Sequence, residues 1–147
     1  MKIKRIILVL LCLSVVFSLT ACKYRLKEPY YEVGEIDGVT LEAVGEITST
    51  DGTFVIKNKS DQTAEYGNWN ALEIYKNGKW KRMVSRNAPD YPLDAAILEA
   101  GRNSHELEEK WKREYGKLKP GKYRYVKSVH CSEKSGVYYI ACEFEIK

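Results

Sequence analysis

Near the C-terminus, Tyr138, Ile140, Cys142, Phe144 and Ile146 alternate with Tyr139, Ala141, Glu143 and Glu145 over nine residues. Successive side chains of a strand point to opposite faces, so this run describes a strand with one buried and one wet face and cannot serve as one side of a helix. The same period recurs upstream. Val39, Leu41 and Ala43 alternate with Thr40 and Glu42, and Phe54 and Ile56 with Thr53 and Lys57, after the turn signal Asp51-Gly52. These read as half-buried strands joined by polar turns. With 147 residues, 44% hydrophobic, 30% charged and only 4 Pro, the composition suits one globular domain. No internal repeat or low-complexity tract interrupts it.

The sharpest hairpin signal is Asn77-Gly78, a pair that supplies the positive φ angles of a tight two-residue turn. It sets Lys76 opposite Lys79, Tyr75 opposite Trp80, Ile74 opposite Lys81, Glu73 opposite Arg82 and Leu72 opposite Met83. Leu72, Ile74 and Met83 then face the core, and Glu73, Tyr75, Trp80 and Arg82 share the outer face, a candidate binding face for a partner or a sugar ring. The structural reading of the same residues is that Trp80 is covered, either by the Asp94 to Tyr115 connection or by the N-terminal segment.

Residues 94–116 break the alternation. Leu107, Trp111, Tyr115 and Leu118 recur at helical spacing, so the expectation is an irregular connection with some helix, at Ala95 to Leu98 or near Trp111 to Tyr115. The same letters also fit a strand through Leu107, Glu109 and Trp111 followed by a helical turn at Lys112 to Tyr115. Next, Leu118-Lys119-Pro120-Gly121-Lys122-Tyr123 puts a Pro-Gly turn before a strand that opens on a tyrosine. That is the shape of a tyrosine corner, with Tyr123 as the candidate, and also of a plain type II turn followed by a surface tyrosine.

The N-terminus carries a different signal. Lys2, Lys4 and Arg5 precede an apolar run from Ile6 to Leu19, which Leu19-Thr20-Ala21-Cys22 closes. The run is about 14 residues, short for a permanent span and suited to a signal peptide over 1–21. The ending is similar to the lipobox of bacterial lipoproteins. That resemblance implies cleavage before Cys22, a diacylglycerol thioether on its sulfur, and a protein held on the extracytoplasmic face of the cell membrane without spanning it. An ordinary secretory peptide cut near Ala21, or an uncleaved anchor, are the other readings. Residues 22–37 mix charge, tyrosine, Pro29 and Gly34 without a period and read as a lipidated tether, leaving 38–147 as the domain. Of the 24 basic residues, three lie in the leader, so 21 face 20 acidic ones beyond it and a nucleic-acid partner loses its electrostatic basis.

Cys12 leaves with the leader and Cys22 takes the lipid, so Cys131 and Cys142 are the pair left for a disulfide. A reverse turn across Ser132 to Gly136 leaves Cys142 about five residues, roughly 17 Å, beyond the position opposite Cys131. That exceeds a disulfide's reach unless a longer loop or a bulge closes the gap, so the bridge is allowed but not required.

Ile56-Lys57-Asn58-Lys59-Ser60, Tyr66-Gly67, Leu72-Glu73, Asn77-Gly78-Lys79-Trp80, Trp111 with Tyr115-Gly116, and Leu118 to Arg124 with Lys127 resemble a bacterial immunoglobulin-like domain family of surface lipoproteins and larger envelope proteins. The resemblance covers most of 38–147 and implies an all-β, immunoglobulin-like Greek-key sandwich. Its motifs are turns and core aromatics, and it brings no catalytic residues. Cys131 and Cys142 lie outside its pattern.

Chemistry is scarce. His105-Glu106 begins like a zinc-protease motif, but Glu109 stands where the second histidine belongs. Glu106, Glu108 and Glu109 read as a solvated run, and Asp51, Asp61 and Asp90 as turn residues. No enzyme, cofactor or metal is expected. The reading is an envelope binding or assembly module for a protein or wall polymer. The alternative is a carbohydrate binder with exposed aromatics in a coplanar row, where a protein-binding module shows an apolar patch or an open strand edge. A cryptic enzyme, the third option, needs a concave pocket with perturbed acids.

Overall fold

A computed structural model describes residues 24–85, 94–132 and 135–147. Among these described residues nine strands form two antiparallel sheets: β1 Tyr24–Lys27, β2 Val39–Ala43, β3 Gly52–Asn58, β4 Ala64–Lys76, β5 Lys79–Ser85, β6 Ala95–Leu98, β7 Leu107–Glu109, β8 Gly121–Cys131 and β9 Tyr138–Ile146. The larger sheet runs β1-β5-β4-β8-β9, with β6 also on β4, and the smaller runs β2-β3-β7. The described residues contain no helix, so the architecture is an all-β sandwich with an immunoglobulin-like arrangement.

The alternation dictates the core. Phe54 and Ile56 of β3 and Tyr123, Tyr125 and Val129 of β8 project between the sheets and are at most 1% exposed. Phe54 stacks on Tyr125 at 4.4 Å between ring centroids, and Trp111 stacks on Phe144 at 5.6 Å. Trp111 also explains Gly52. A Cβ there would sit 2.6 Å from the indole, so the glycine lets the ring approach the first residue of β3; it is not the hinge of an Asp51-Gly52 turn. Asn58, 1% exposed, ties one end of the sandwich together: its Nδ2 donates to the carbonyls of Gln62, Leu98 and Glu99, and its Oδ1 accepts from Ser60.

The hairpin register matches the Asn-Gly expectation, with Lys76 opposite Lys79, Tyr75 opposite Trp80, Ile74 opposite Lys81 and Glu73 opposite Arg82. Asn77 and Gly78 take φ of 53° and 77°, the double positive a two-residue turn of this hand requires. The connection at 94–116 is less helical than its spacing suggests. Ala95–Leu98 is strand β6, paired to Ala64–Gly67 of β4, because four residues beside an open ladder gain more from pairing than from one turn of helix. Leu107–Glu109 is strand β7, and a single helical turn follows, closed by Tyr115 N–H donating to the Trp111 carbonyl at 2.8 Å.

Residues 24–36 depart furthest from the sequence reading. Expected as a loose tether, they hold β1 along the edge of β5, bury Tyr31 and Ile36, and bond Gly34 N–H to the Tyr139 carbonyl at 2.9 Å. Cys131 pairs across to Ala64 and Cys142 to Tyr125, six positions from Cys131 along β8 and so about 20 Å apart at strand rise. Both thiols are free. Iodoacetamide applied without reductant to the denatured chain alkylates both residues; a disulfide-linked peptide pair would overturn this register.

Tyr123 is 1% exposed and its hydroxyl donates to the Lys119 carbonyl, four residues upstream, at 2.7 Å. Burial pushes its phenol up to about 12. Tyr123→Phe keeps the ring and strands the carbonyl, so denaturant unfolding should show a loss of about 1 kcal/mol. An unchanged midpoint would mean the bond contributes nothing.

Candidate functional site

The outer face of the larger sheet is set by the residues that alternate away from the core. Across β5, β4, β8 and β9 the register lines up Arg82, Glu73, Arg124 and Glu143 in one row of alternating charge. Glu73 is the pivot. Arg124 meets its Oε2 through both Nε and Nη2 at 2.7 Å, two charge-assisted contacts converging on one carboxylate oxygen. The sequence placed Glu73 on an open face, yet it is 0% exposed. Tyr30 and Tyr31 explain the difference. The Arg82 guanidinium lies 4.7 Å from the Tyr30 ring centre, and Tyr31 stacks on Tyr139 at 4.6 Å and meets Trp69 edge-on. Together with Ala71 and Val126 these rings make a second, smaller apolar cluster on the outside of the sheet.

Three polar atoms under this cover, Tyr31 Oη, Glu73 Oε1 and Arg82 Nε, are buried without a hydrogen-bond partner among the described residues. Burial, and then the neighbouring Glu73 carboxylate, raise the Tyr31 phenol far above its ordinary value, so it stays neutral. The cover is thus apolar in character over a carboxylate that relies on Arg124.

Beyond the cover the hairpin is open. Tyr75 is 44% exposed and meets Trp80 edge-on at 5.1 Å. The Arg124 guanidinium lies 4.5 Å from the Trp80 ring centre, and Lys122 Nζ lies 5.4 Å from Trp80 and 5.7 Å from Tyr75. Cations sit well on indole and phenol faces, and these contacts fix both rings while occupying the indole. Lys122 also pairs with Glu143 at 2.6 Å, and Lys81 with Glu28. At the tip, Lys76 and Lys79 are exposed and form no ion pair with any described residue. The patch is aromatic and pre-ordered, with lysines at its hairpin tip and Glu143 and Glu145 along its β9 side. Of the four residues expected on this face, Tyr75, Trp80 and Arg82 border solvent and Glu73 does not. The Trp80 ring meets Tyr75, Lys122 and Arg124. Sequence reasoning missed Tyr30, Tyr31, Lys122 and Arg124. The Tyr30-Tyr31 pair within the supposed tether was the available signal.

A second polar group lies between the sheets. Tyr125 donates to Glu109 Oε1, and Asn70 Nδ2 reaches the same oxygen at 3.3 Å. Lys127, 3% exposed, donates to the Gly67 carbonyl at 2.6 Å, at the β4 irregularity between Tyr66 and Asn70 where ladder pairing to β8 lapses. Burial raises the Glu109 carboxyl and lowers the Lys127 ammonium to about 8, with Glu109 partly opposing the latter. These are groups of a packed interior. The broad recess on the surface is elsewhere, lined by Gly34 to Glu42 with Ile140 and Ala141, and Glu109 does not face it. Among the described residues no three of His, Cys, Asp and Glu gather closely enough to hold a metal ion. The lipobox residues Leu19, Thr20, Ala21 and Cys22 lie outside the described residues.

Lys127 gives a signed pH dependence. Unfolded, it holds its proton to near the ordinary 10.5; folded, it releases it at about 8. Between these values the unfolded chain binds more protons, so stability rises with pH from about 8 to about 10, above which the buried phenols begin to oppose it. A melting temperature that climbs over that window in the parent and is flat in Lys127→Met is the expected result; a climb that survives the substitution assigns it elsewhere.

Residues 35–145 match a family described as bacterial Ig-like domain. No curated protein matches the chain.

Proposed function

The chain belongs to the bacterial Ig-like domain family, and from that premise we propose that it is a cell-envelope lipoprotein, acylated at Cys22, whose hairpin face binds an anionic envelope protein or wall polymer. An Ig-like domain of this kind is a surface or binding module and is typically non-catalytic. The observation that carries the finer reading is the pre-ordered patch of Tyr75, Trp80, Lys122 and Arg124 beside the exposed Lys76 and Lys79. Rigid aromatics supply contact area at low entropic cost, and the surrounding cations select a negatively charged partner. Sugar stacking is served less well, because Arg124 and Lys122 occupy the indole and Tyr75 stands 63° to it instead of extending a flat row.

The anchor rests on the charged head, the short apolar core and the Leu19-Thr20-Ala21-Cys22 ending. Cys22→Ser is expected to abolish labelling by a palmitate analogue; labelling that persists would place the anchor elsewhere.

The binding face is tested by a photo-crosslinking side chain introduced in living cells at Tyr75, with Ile97, 70% exposed on β6, as the comparison. A discrete envelope adduct from position 75 that is lost in Lys79→Glu/Lys122→Glu supports the proposal. Glycan fragments at position 75 would favour the carbohydrate reading, and adducts confined to position 97 would move the site to β6.

A further inference from the structure

From the point where the N-terminal chain enters the fold, we infer that the wall of the sandwich formed by residues 110–119 is a docking surface for anionic phospholipid headgroups. The inference deepens the anchored reading above and rests on it for the source of the lipid. Only Lys23 separates Cys22 from Tyr24, the first residue of β1, so the backbone of an acylated Cys22 lies within about 8 Å of that strand and the bilayer lies a side chain and a glycerol linker beyond it. No slack exists to lift the domain away. Tyr24 pairs with Ser85 and its ring meets Tyr115 edge-on at 6.2 Å, while Ser85 Oγ donates to the Glu114 carbonyl at 3.1 Å. The turn after Trp111 is therefore what lies beside the chain's entry.

That wall is cationic. Lys110, Lys112, Arg113, Lys117 and Lys119 are all exposed. Lys110 is engaged by Glu108 at 3.8 Å and by Asp51, and Arg113 sits beside Glu114. Lys112, Lys117 and Lys119 form no ion pair with any described residue; Glu46 on the adjoining loop and Glu145 of β9, opposite Lys122, are exposed acids nearby in the fold. The loop 44–51 fixes the wall in place: Lys112 N–H donates to the Thr50 carbonyl at 3.1 Å, Leu118 N–H to that of Ser49 at 2.8 Å, and Trp111 Nε1 to that of Thr48 at 3.3 Å. Half-buried Tyr24 and Tyr115 lie where the wall meets the entering chain, the amphipathic ring chemistry that favours the headgroup layer. Lysines close to an anionic surface each add attraction, and two residues of chain supply the proximity.

The test is amine footprinting of the full chain, purified from membranes and reconstituted in phosphatidylglycerol vesicles, against the same protein in phosphatidylcholine vesicles, with intact mass scoring the acyl group separately. Lys59, exposed beyond the far end of β3, is the internal standard. Reactivity at Lys112, Lys117 and Lys119 is expected to fall roughly fivefold or more in phosphatidylglycerol, relative to Lys59, and to recover in high salt as the Debye length contracts. An acylated chain whose three lysines react as fast as Lys59 overturns the docking surface and leaves the anchor standing. An unacylated chain, mixed with the same vesicles, that shows the protection supports the surface and sinks the anchor. An unacylated chain without protection overturns both.

Discussion

The outer half of this molecule depends on one buried carboxylate. Glu73 sits on the face of the sheet that alternation assigns to solvent, yet it is sealed from water and held by Arg124. A carboxylate sealed under an apolar cover is tolerable only with a well-matched cation, and removing one partner of such a pair commonly costs about 3–5 kcal/mol. Arg124, fixed by Glu73, reaches across Trp80 and sets the hairpin rings; Tyr31, beside the carboxylate and stacked on Tyr139, draws residues 28–34 across the sheet. The ordered aromatic patch and the folded N-terminal segment thus share one cause. Because that segment is folded, the chain enters the sandwich immediately after the residue expected to carry the lipid.

The inner half is held differently. Phe54, Tyr125, Phe144, Trp111 and Tyr123 form a continuous set of ring contacts joining the small sheet to the large one. Such rings carry large apolar area and prefer defined relative orientations, so they fix how the sheets sit as well as holding them together. Trp111 belongs to the turn at 111–115, so the wall beside the chain's entry is as firmly seated as the core. Lys127 and Glu109 are polar groups within it, as is Asn58, and each of the first two answers a local need: the β4 irregularity frees the Gly67 carbonyl, and the Tyr125 hydroxyl needs an acceptor.

Most of the sandwich was legible because period-2 patterns act through geometry that any sheet must obey. The 138–146 strand, the hairpin register and the buried Leu72, Ile74 and Met83 follow from alternation and one Asn-Gly pair. Residues 24–36 were not legible because their role is to cover a sheet from outside. Tyr30 and Tyr31 pack against side chains distant in sequence, and such contacts impose no period on their own segment. Helical spacing from Leu107 to Leu118 misled for a related reason: Trp111 and Leu118 are buried by the sandwich core and the 44–51 loop, so their spacing records one helical turn and a bend, not a helix. On the candidate site, Tyr75, Trp80 and Arg82 followed from register alone. The cations that hold the rings come from β8, whose alignment with β4 no local pattern specifies.

The claim that Glu73 organises the outer face is most directly tested by hydrogen exchange on Glu73→Gln, which keeps the side chain's shape and removes its charge. Arg82 and Arg124 would then be cations beneath an apolar cover with no anion between them. Amides of residues 24–34, Gly34 included, should lose protection by roughly tenfold or more, while those of the β8–β9 ladder stay protected. Unchanged exchange across 24–34 would show that the N-terminal segment and the outer face do not depend on this ion pair, and would contradict the account.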